Sequence, residues 1–117
     1  MVNPSKRKGT AFETEVVNHL RARGFDECER RALTGTQDRG DIAGIVNWTI
    51  ECKNQNTSLW AAWMDELAIE KKNAGTRRSL LVVRRRMAVI ERAYAVMPLA
   101  EAIDVIIDLE NSEMGEG

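Results

Sequence analysis

Apolar side chains recur at three- and four-residue spacing in three stretches of the chain. This spacing predicts amphipathic helices over about residues 10–23, 59–74 and 98–108. Gly24 and Gly75 follow the first two stretches, as suits helix C-termini, and Pro98 suits the first turn of the third. Two indoles on the second helix favour burial in a core or a subunit interface over stacking on nucleic-acid bases. The face predicted to pack in that helix consists of Trp60, Trp63, Met64, Leu67 and Lys71.

Strand character marks the segments 41–46, 48–53, 79–83 and 92–97. The short connection around Asn47 predicts a hairpin between the first two, and the wholly apolar run 79–83 suits the centre of a sheet. We expect the order helix, strand, strand, strand, helix, strand, strand, helix, with no range assigned to the first strand, in an α/β fold whose mixed sheet is flanked by helices. A single domain is expected over 1–110, and the acidic segment 111–117 is predicted to be a disordered tail.

Asp41, Glu51 and Lys53 are the residues that point most directly to chemistry. Side chains alternate faces along a strand, so Glu51 and Lys53 should share one face, opposite Ile50 and Cys52. Asp41 begins the preceding strand, where it can meet Glu51 across the hairpin. Carboxylates suit Mg²⁺, and a lysine beside the ion could orient a water. The plain alternative is a cross-strand ion pair on an exposed face.

A further carboxylate, Glu13, lies in the first predicted helix. It follows Phe12 and lies one turn before Val17, so it should sit at the edge of the packed face and look toward the strands. Glu15 is roughly 200° around the helix from Glu13 and should be solvated. Spacing alone favours for Glu13 the simple role of a charge near a helix start.

The chain resembles the PD-(D/E)XK nuclease superfamily and, more narrowly, the archaeal-type Holliday junction resolvases. Three short motifs carry the resemblance: KGTAFE at 8–13, GDI at 40–42 and ECK at 51–53. Gly40 stands where these proteins more usually have Pro. The resemblance implies a restriction-endonuclease-like mixed sheet and an endodeoxyribonuclease that resolves four-way junctions by paired symmetric nicks. A two-fold homodimer would supply the two sites that paired nicks require.

The resemblance also implies a role for each matching residue. Asp41 and Glu51 would hold Mg²⁺, with Mn²⁺ as a substitute, and Glu13 would complete the acidic cluster. Lys53 would position the attacking water or stabilise charge on the phosphate. Two alternatives remain open: another nuclease of the superfamily, acting on linear or flapped DNA, or a non-catalytic nucleic-acid-binding module that keeps the fold.

Charge is distributed unevenly along the 117 residues, whose net charge is −1. All 17 basic residues and 12 of the 18 acidic ones precede Glu101, so residues 1–100 carry a net charge of +5. Clustered basic residues suit phosphate contacts, and a solvated basic surface is the plain alternative for any one cluster. The resemblance adds two threonines of a small polar loop. The predicted DNA contacts are Lys6, Arg7, Lys8, Thr34, Thr36, Arg39, Lys71, Lys72, Arg84 and Arg85.

Cysteine usage and the chain start bear on location. Cys28 and Cys52 are the only cysteines and lack the spacing of a metal site. The start has no apolar signal segment, and no stretch is long enough to cross a bilayer. We therefore expect an intracellular protein with no membrane partner, in a reducing compartment.

Overall fold

The structure is a computed structural model that describes residues 4–32 and 37–115. Its elements follow the order predicted from the sequence, and the mixed α/β sheet with helices on both sides is confirmed. Between β4 and β5 lies one short 3₁₀ turn, Ile90–Arg92. The helices and strands are α1 (Pro4–Ala22), β1 (Glu29–Arg30), β2 (Ile42–Ala43), β3 (Trp48–Lys53), α2 (Trp60–Ala74), β4 (Arg78–Val83), β5 (Tyr94–Val96) and α3 (Leu99–Gly115).

The sheet has the strand order β1-β2-β3-β4-β5. β3 and β4 are parallel, paired from Trp48 opposite Arg78 to Lys53 opposite Val83, and α2 makes the crossover between them. The other neighbouring strands are antiparallel. β3 is therefore the central strand, and both of its faces are covered.

The two faces of β3 meet different helices. Phe12, Val16 and Val17 of α1 pack in one core cluster with Ile50 and Cys52 of β3. The alternation along β3 turns Thr49, Glu51 and Lys53 to the opposite face. Helix α2 contacts both β3 and β4 and closes that second face.

The buried stripe of α2 differs from the predicted one. Trp63 and Leu67 are buried, but Trp60 is 40% exposed, and Glu70, only 1% exposed, takes the third buried position. A helix turns about 100° per residue, which places Glu70 on the same stripe as Trp63 and Leu67. Lys71 falls to the side, where its Nζ lies 3.0 Å from Glu101 Oε2 on α3.

Helix α3 is longer than predicted. It continues through Gly115, so residues 111–115 of the predicted disordered tail form its last turns; residues 116–117 lie outside the described part. No glycine or proline interrupts the segment before Gly115. Two carboxylates tie the helix to the sheet: Glu101 accepts from the Ser79 hydroxyl at 3.0 Å, and Asp108 pairs with Arg78. None of the described helices has both the length and the apolar character needed to cross a membrane.

Other element bounds differ for local reasons. Helix α1 starts at Pro4 and not near residue 10, in keeping with the preference of proline for a first helical turn. Strand β2 stops at Ala43 because Gly44 has φ +95° and lies against the backbone of Glu27. The last predicted strand is shortened to Tyr94–Val96 by the preceding 3₁₀ turn.

Alanine substitution at two glycines should change the unfolding free energy in opposite directions. Gly44→Ala forces a Cβ against the Glu27 carbonyl at a positive φ, so we expect a loss of more than about 1 kcal/mol in unfolding free energy. Gly9 lies within α1 with nothing within 4 Å of an added Cβ, so Gly9→Ala should stabilise by about 0.5–1 kcal/mol. Urea unfolding of both variants measures this, and equal stabilities would contradict the described backbone at Gly44.

Candidate metal centre

A cleft of about 560 Å³ lies at the carboxyl end of β3. Glu13, Asp41, Glu51 and Lys53, the residues predicted to be catalytic, all line it. They come from α1, the residue before β2 and the central strand, so residues far apart in the sequence meet at one place. We call this space the central cleft.

Asp41 is held in place mainly by backbone hydrogen bonds. Its N–H donates to the Ile50 carbonyl at 2.8 Å, and its carbonyl accepts from the Arg31 N–H at 2.8 Å. The Cys52 N–H donates to Asp41 Oδ2 at 2.8 Å. Asp41 directly precedes Ile42, whose ladder partner is Ile50, and its carboxyl contacts that of Glu51, so the predicted meeting of these two carboxylates is confirmed.

Gly40 has a backbone conformation that proline cannot adopt. Its φ of +92° is unreachable for proline, which is fixed near about −65°. A Cβ at this position would lie 2.9 Å from the Ile50 carbonyl oxygen and 3.1 Å from Thr49 Cγ2. Glycine thus permits the close approach of this segment to β3 that brings Asp41 to the cleft.

Glu13 and Glu15 point in different directions, as the helical spacing predicted. Glu13 is half-buried in the cleft, with Arg30 Nε 3.5 Å from its Oε1, whereas Glu15 is exposed. Burial raises the pKa of Glu13, the charge of Asp41 adds to this shift, and Arg30 opposes it. Glu13 therefore interacts electrostatically with the other acids of the site. The simple role of a helix-start charge is wrong, because α1 begins at Pro4 and Glu13 lies in the middle of the helix.

Glu51 belongs to a tight acidic group that the motifs did not predict. The group consists of Asp38, Glu51, Glu66 and Glu70. Each residue offers one carboxylate oxygen, and these four oxygens all lie within 4.8 Å of one another. Asp41 and Glu13, the other predicted metal ligands, line the cleft but are not in this group. The one available sequence signal was the four-residue spacing of Glu66 and Glu70 in a predicted helix, which places both on one face.

Burial of these carboxylates is electrostatically costly. Burial raises the pKa of Glu51 strongly, as do its contacts with Asp41 and Glu70. Burial also raises the pKa of Glu70 from 4.5 to about 7; its contact with Glu51 opposes that shift, and the charges of Asp38 and Glu66 add to it. So many acids in one place cannot all ionise without a proton or a cation between them.

The environment of the Glu70 carboxylate shows whether the acidic group could bind a cation. Both of its carboxylate oxygens are buried, and within residues 4–32 and 37–115 no N–H or hydroxyl donates to either; the group that Glu70 contacts is another acid, Glu51. Such orphaned acceptors are costly and call for a counter-ion or a proton. A set of carboxylate oxygens is the ligand chemistry that Mg²⁺ and Mn²⁺ prefer. The residues present therefore fit a divalent cation, held by Glu51 and Glu70 with Asp38 and Glu66 beside them.

Lys53 is a charged donor at this site. Its Nζ lies 3.1 Å from Glu66 Oε2. Burial alone would lower the pKa of Lys53, but Glu66, Glu51 and Asp41 outweigh burial and raise it. The side chain is therefore an ammonium at neutral pH, suited to hold an anion or a water and unsuited to remove a proton.

Two further clefts adjoin the central one. A space of about 490 Å³ shares Glu13, Asp38 and Asp41 with it and adds Arg30, Arg31 and Arg39; we call it the second cleft. A space of about 590 Å³ shares residues 54–56 and Lys8 with it and adds an arginine run; we call it the arginine cleft. Its further lining residues are Ser58, Trp60, Val83, Arg84, Arg85, Arg86 and Tyr94.

The predicted DNA contacts divide according to these clefts. Lys8, Arg39, Arg84 and Arg85 line one or more of them, whereas Arg7 and Lys72 are exposed on their helices. Lys71 is held by Glu101, so it serves the contact between α2 and α3. The side chain of Lys6 and the residues Thr34 and Thr36 lie outside the described part of the chain.

Comparison of this chain with protein-family models, curated proteins and solved structures finds no match.

Stability of the metal-free protein should fall as pH rises from about 4.5 to 7. Over this window the raised pKa of Glu70 makes the folded state bind more protons than the unfolded state, so folding weakens as they are lost. Saturating Mg²⁺ should oppose the loss by binding only the folded state.

Thermal unfolding at several pH values, with and without Mg²⁺, measures this. Glu70→Gln should flatten the pH dependence and reduce the gain from Mg²⁺, while Glu15→Gln should leave both unchanged. A flat profile for the unmodified protein would contradict the described burial of Glu70.

Proposed function

We propose that this chain is a divalent-metal-dependent DNA endonuclease that acts on four-way junctions. The observation that carries the proposal is the environment of Glu51. It is 3% exposed, lies opposite Asp41, contacts Glu70 and shares its strand face with the charged Lys53. Carboxylates and one ammonium around a cleft are the groups that phosphodiester hydrolysis requires.

The reaction is the addition of water to a backbone phosphorus. A bond forms from the water oxygen to phosphorus, the bond to the 3′ oxygen breaks, and solvent exchanges the protons, leaving a 5′-phosphate and a 3′-hydroxyl. A bound Mg²⁺ would supply Lewis-acid stabilisation of the phosphate charge and activation of the water. Lys53 would donate to a phosphate oxygen or orient the water, and Asp41 and Glu13 would accept from waters in the cleft.

Charge on both sides of the site supports a nucleic-acid substrate. The acidic centre lies between the arginines of the second cleft and those of the arginine cleft. Without a cation, the buried acids would repel phosphates. The arrangement therefore favours a site that binds a metal ion together with its nucleic-acid substrate. Basic side chains on either flank can follow the backbone on both sides of a scissile phosphate.

Junction resolution rests on the motif resemblance and on symmetry. The chain has no segment that resembles a recognition helix for the major groove, which favours reading the shape of the backbone over its sequence. Paired nicks need two sites, and a two-fold homodimer supplies them. Exposed apolar residues of α3, which follows the edge strand β5 in the chain, suit the subunit contact; they include Leu99, Ile103, Ile106 and Ile107.

Removing the central charges should separate cleavage from binding. We expect Asp41→Asn and Glu51→Gln to abolish cleavage while DNA binding stays the same or tightens, because negative charge near phosphate is lost. Lys53→Ala should lower the rate by about 10²–10³-fold, as does the loss of one donor to a developing charge, with little change in metal affinity. Cleavage of labelled DNA and binding in Ca²⁺ measure the two effects. Wild-type cutting by Asp41→Asn would show the site to be wrong.

Glu13 and Glu15 form a matched pair on one helix. Glu13→Gln should lower the cleavage rate by about 10²-fold, the range reported for groups that orient catalytic ligands, while Glu15→Gln should keep wild-type activity. Single-turnover rates of both variants measure this. Equal rates would show that Glu13 has no part in the site.

Substrate choice tests the finer assignment. A four-way junction should compete for binding far better than an equal mass of linear duplex, binding should weaken steeply with salt, and opposing strands should receive paired, ligatable nicks. Strand-by-strand gel analysis of an immobile junction measures all three. Equal cutting of linear duplex would leave a more general nuclease, and metal-independent binding without cutting would leave a non-catalytic module.

A further inference from the structure

We infer that the arginine cleft binds unpaired nucleotides of a single DNA strand, so that the preferred cut lies beside a transition from duplex to single strand. This inference rests on the proposed nuclease activity and not on the four-way junction as substrate, because the strands of an intact junction are all paired; it favours the alternative of flapped DNA. The resemblance of the three motifs does not touch this cleft, apart from Lys8.

The cleft is continuous with the metal centre through a polar wall. Lys8 and residues 54–56 line both spaces. Lys8 Nζ donates to Asn56 Oδ1 at 3.2 Å, and Asn54 Nδ2 donates to the Lys8 carbonyl at 3.4 Å, which ties the start of α1 to the loop after β3. A strand whose phosphate lies at Glu51 can therefore extend along this wall into the arginine cleft.

The charges of the cleft suit a phosphate backbone. Arg84, Arg85 and Arg86 follow directly on β4 and are exposed. Within the described part of the chain they make no ion pair with an acid, unlike Arg77 and Arg78, which both pair with Asp108. Unpaired guanidinium groups on one wall are free to bind phosphate oxygens.

Two aromatic rings distinguish this cleft from a simple basic surface. Trp60 is 40% exposed and Tyr94 is 47% exposed, and both line the cleft. The rings of Trp60 and the buried Trp63 pack edge to face, with centroids 5.5 Å apart and planes at 69°. This contact restricts the orientation of the Trp60 ring. An accessible ring beside arginines is the combination that stacks on unpaired bases.

Stacking requires bases that are not in a duplex. In paired DNA the base faces contact their neighbours, so Trp60 and Tyr94 would gain nothing from an intact helix. The second cleft has arginines but no aromatic residue among its described lining. The two flanks of the metal centre therefore differ, with backbone contacts alone on one side and base contacts on the other.

Binding of labelled oligonucleotides by the Glu51→Gln protein in Ca²⁺ tests the inference without cleavage. Trp60→Ala and Tyr94→Ala should each weaken binding of a single-stranded thymidine oligonucleotide about tenfold, the loss expected for one stacked base, and leave the affinity for blunt duplex unchanged. Trp60→Phe and Tyr94→Phe keep a ring and should keep the affinity. Phe25→Ala, at an exposed aromatic on no described cleft, is the matched control.

Two further measurements test the arginines and give a second readout of the stacking. The second readout is useful if one of the alanine variants fails to fold. Arg84→Ala with Arg85→Ala should weaken single-strand binding and lower its salt dependence, while Arg23→Ala, beyond the far end of α1, should do neither. Thymidine oligonucleotide should also quench the fluorescence of Trp60, and Trp60→Phe should remove that quenching. An RNA oligonucleotide of matched sequence distinguishes a general single-strand site from one for DNA.

The outcomes separate this inference from the proposed function. If the wild type cuts no DNA with Mg²⁺ or Mn²⁺, the nuclease proposal fails, and the binding measurements still report on the cleft. If the wild type cuts DNA but the ring-deleting variants bind single strands as tightly as the wild type, without quenching of Trp60, the inference is overturned. Equal cutting rates at a duplex–single-strand boundary and within uninterrupted duplex would overturn it as well.

Discussion

The burial of Glu51 on the central strand is the constraint on which the site depends. Strand β3 is covered by α1 on one face and α2 on the other, so the Glu51 side chain is only 3% exposed, although it lines the central cleft. Asp41, beside the hairpin, and Glu70 of α2 both contact the Glu51 carboxyl. Like charges at this density are tolerated only with protons or a cation among them. The fold thus accepts an electrostatic cost at its centre, which is typical of functional sites.

The parallel pairing of β3 with β4 determines which segments surround Glu51. Parallel neighbours require a crossover, and here the crossover is α2, which carries Glu66 and Glu70 over the face that holds Glu51 and Lys53. The same pairing brings the carboxyl ends of both strands to one edge of the sheet. Residues 54–56 leave β3 and the arginine run leaves β4 at this edge, so basic and amide groups flank the acidic centre.

The ion pairs of the described residues fall into two groups: those that connect α3 to the rest of the fold and those beside the central cleft. Glu101 and Asp108 tie α3 to Lys71, Arg77 and Arg78. Near the cleft, Arg30 offsets Glu13 and Lys53 offsets Glu66, yet Glu70 has no basic partner among the described residues. An unbalanced buried acid is what a resident cation would satisfy, and this agrees with the proposed metal-dependent reaction.

The amino-acid sequence by itself determined the order of the elements, the hairpin that brings Asp41 to Glu51, and the opposite directions of Glu13 and Glu15. Each follows from local periodicity, because alternation along a strand and the turn of a helix fix where neighbouring side chains point. Only the tertiary structure decided that Glu70 is buried, that Lys71 pairs with Glu101, and that Trp60 faces a cleft. These depend on how α2 is rotated over the sheet and on what α3 covers, and those are contacts between segments far apart in the chain, which no local pattern contains.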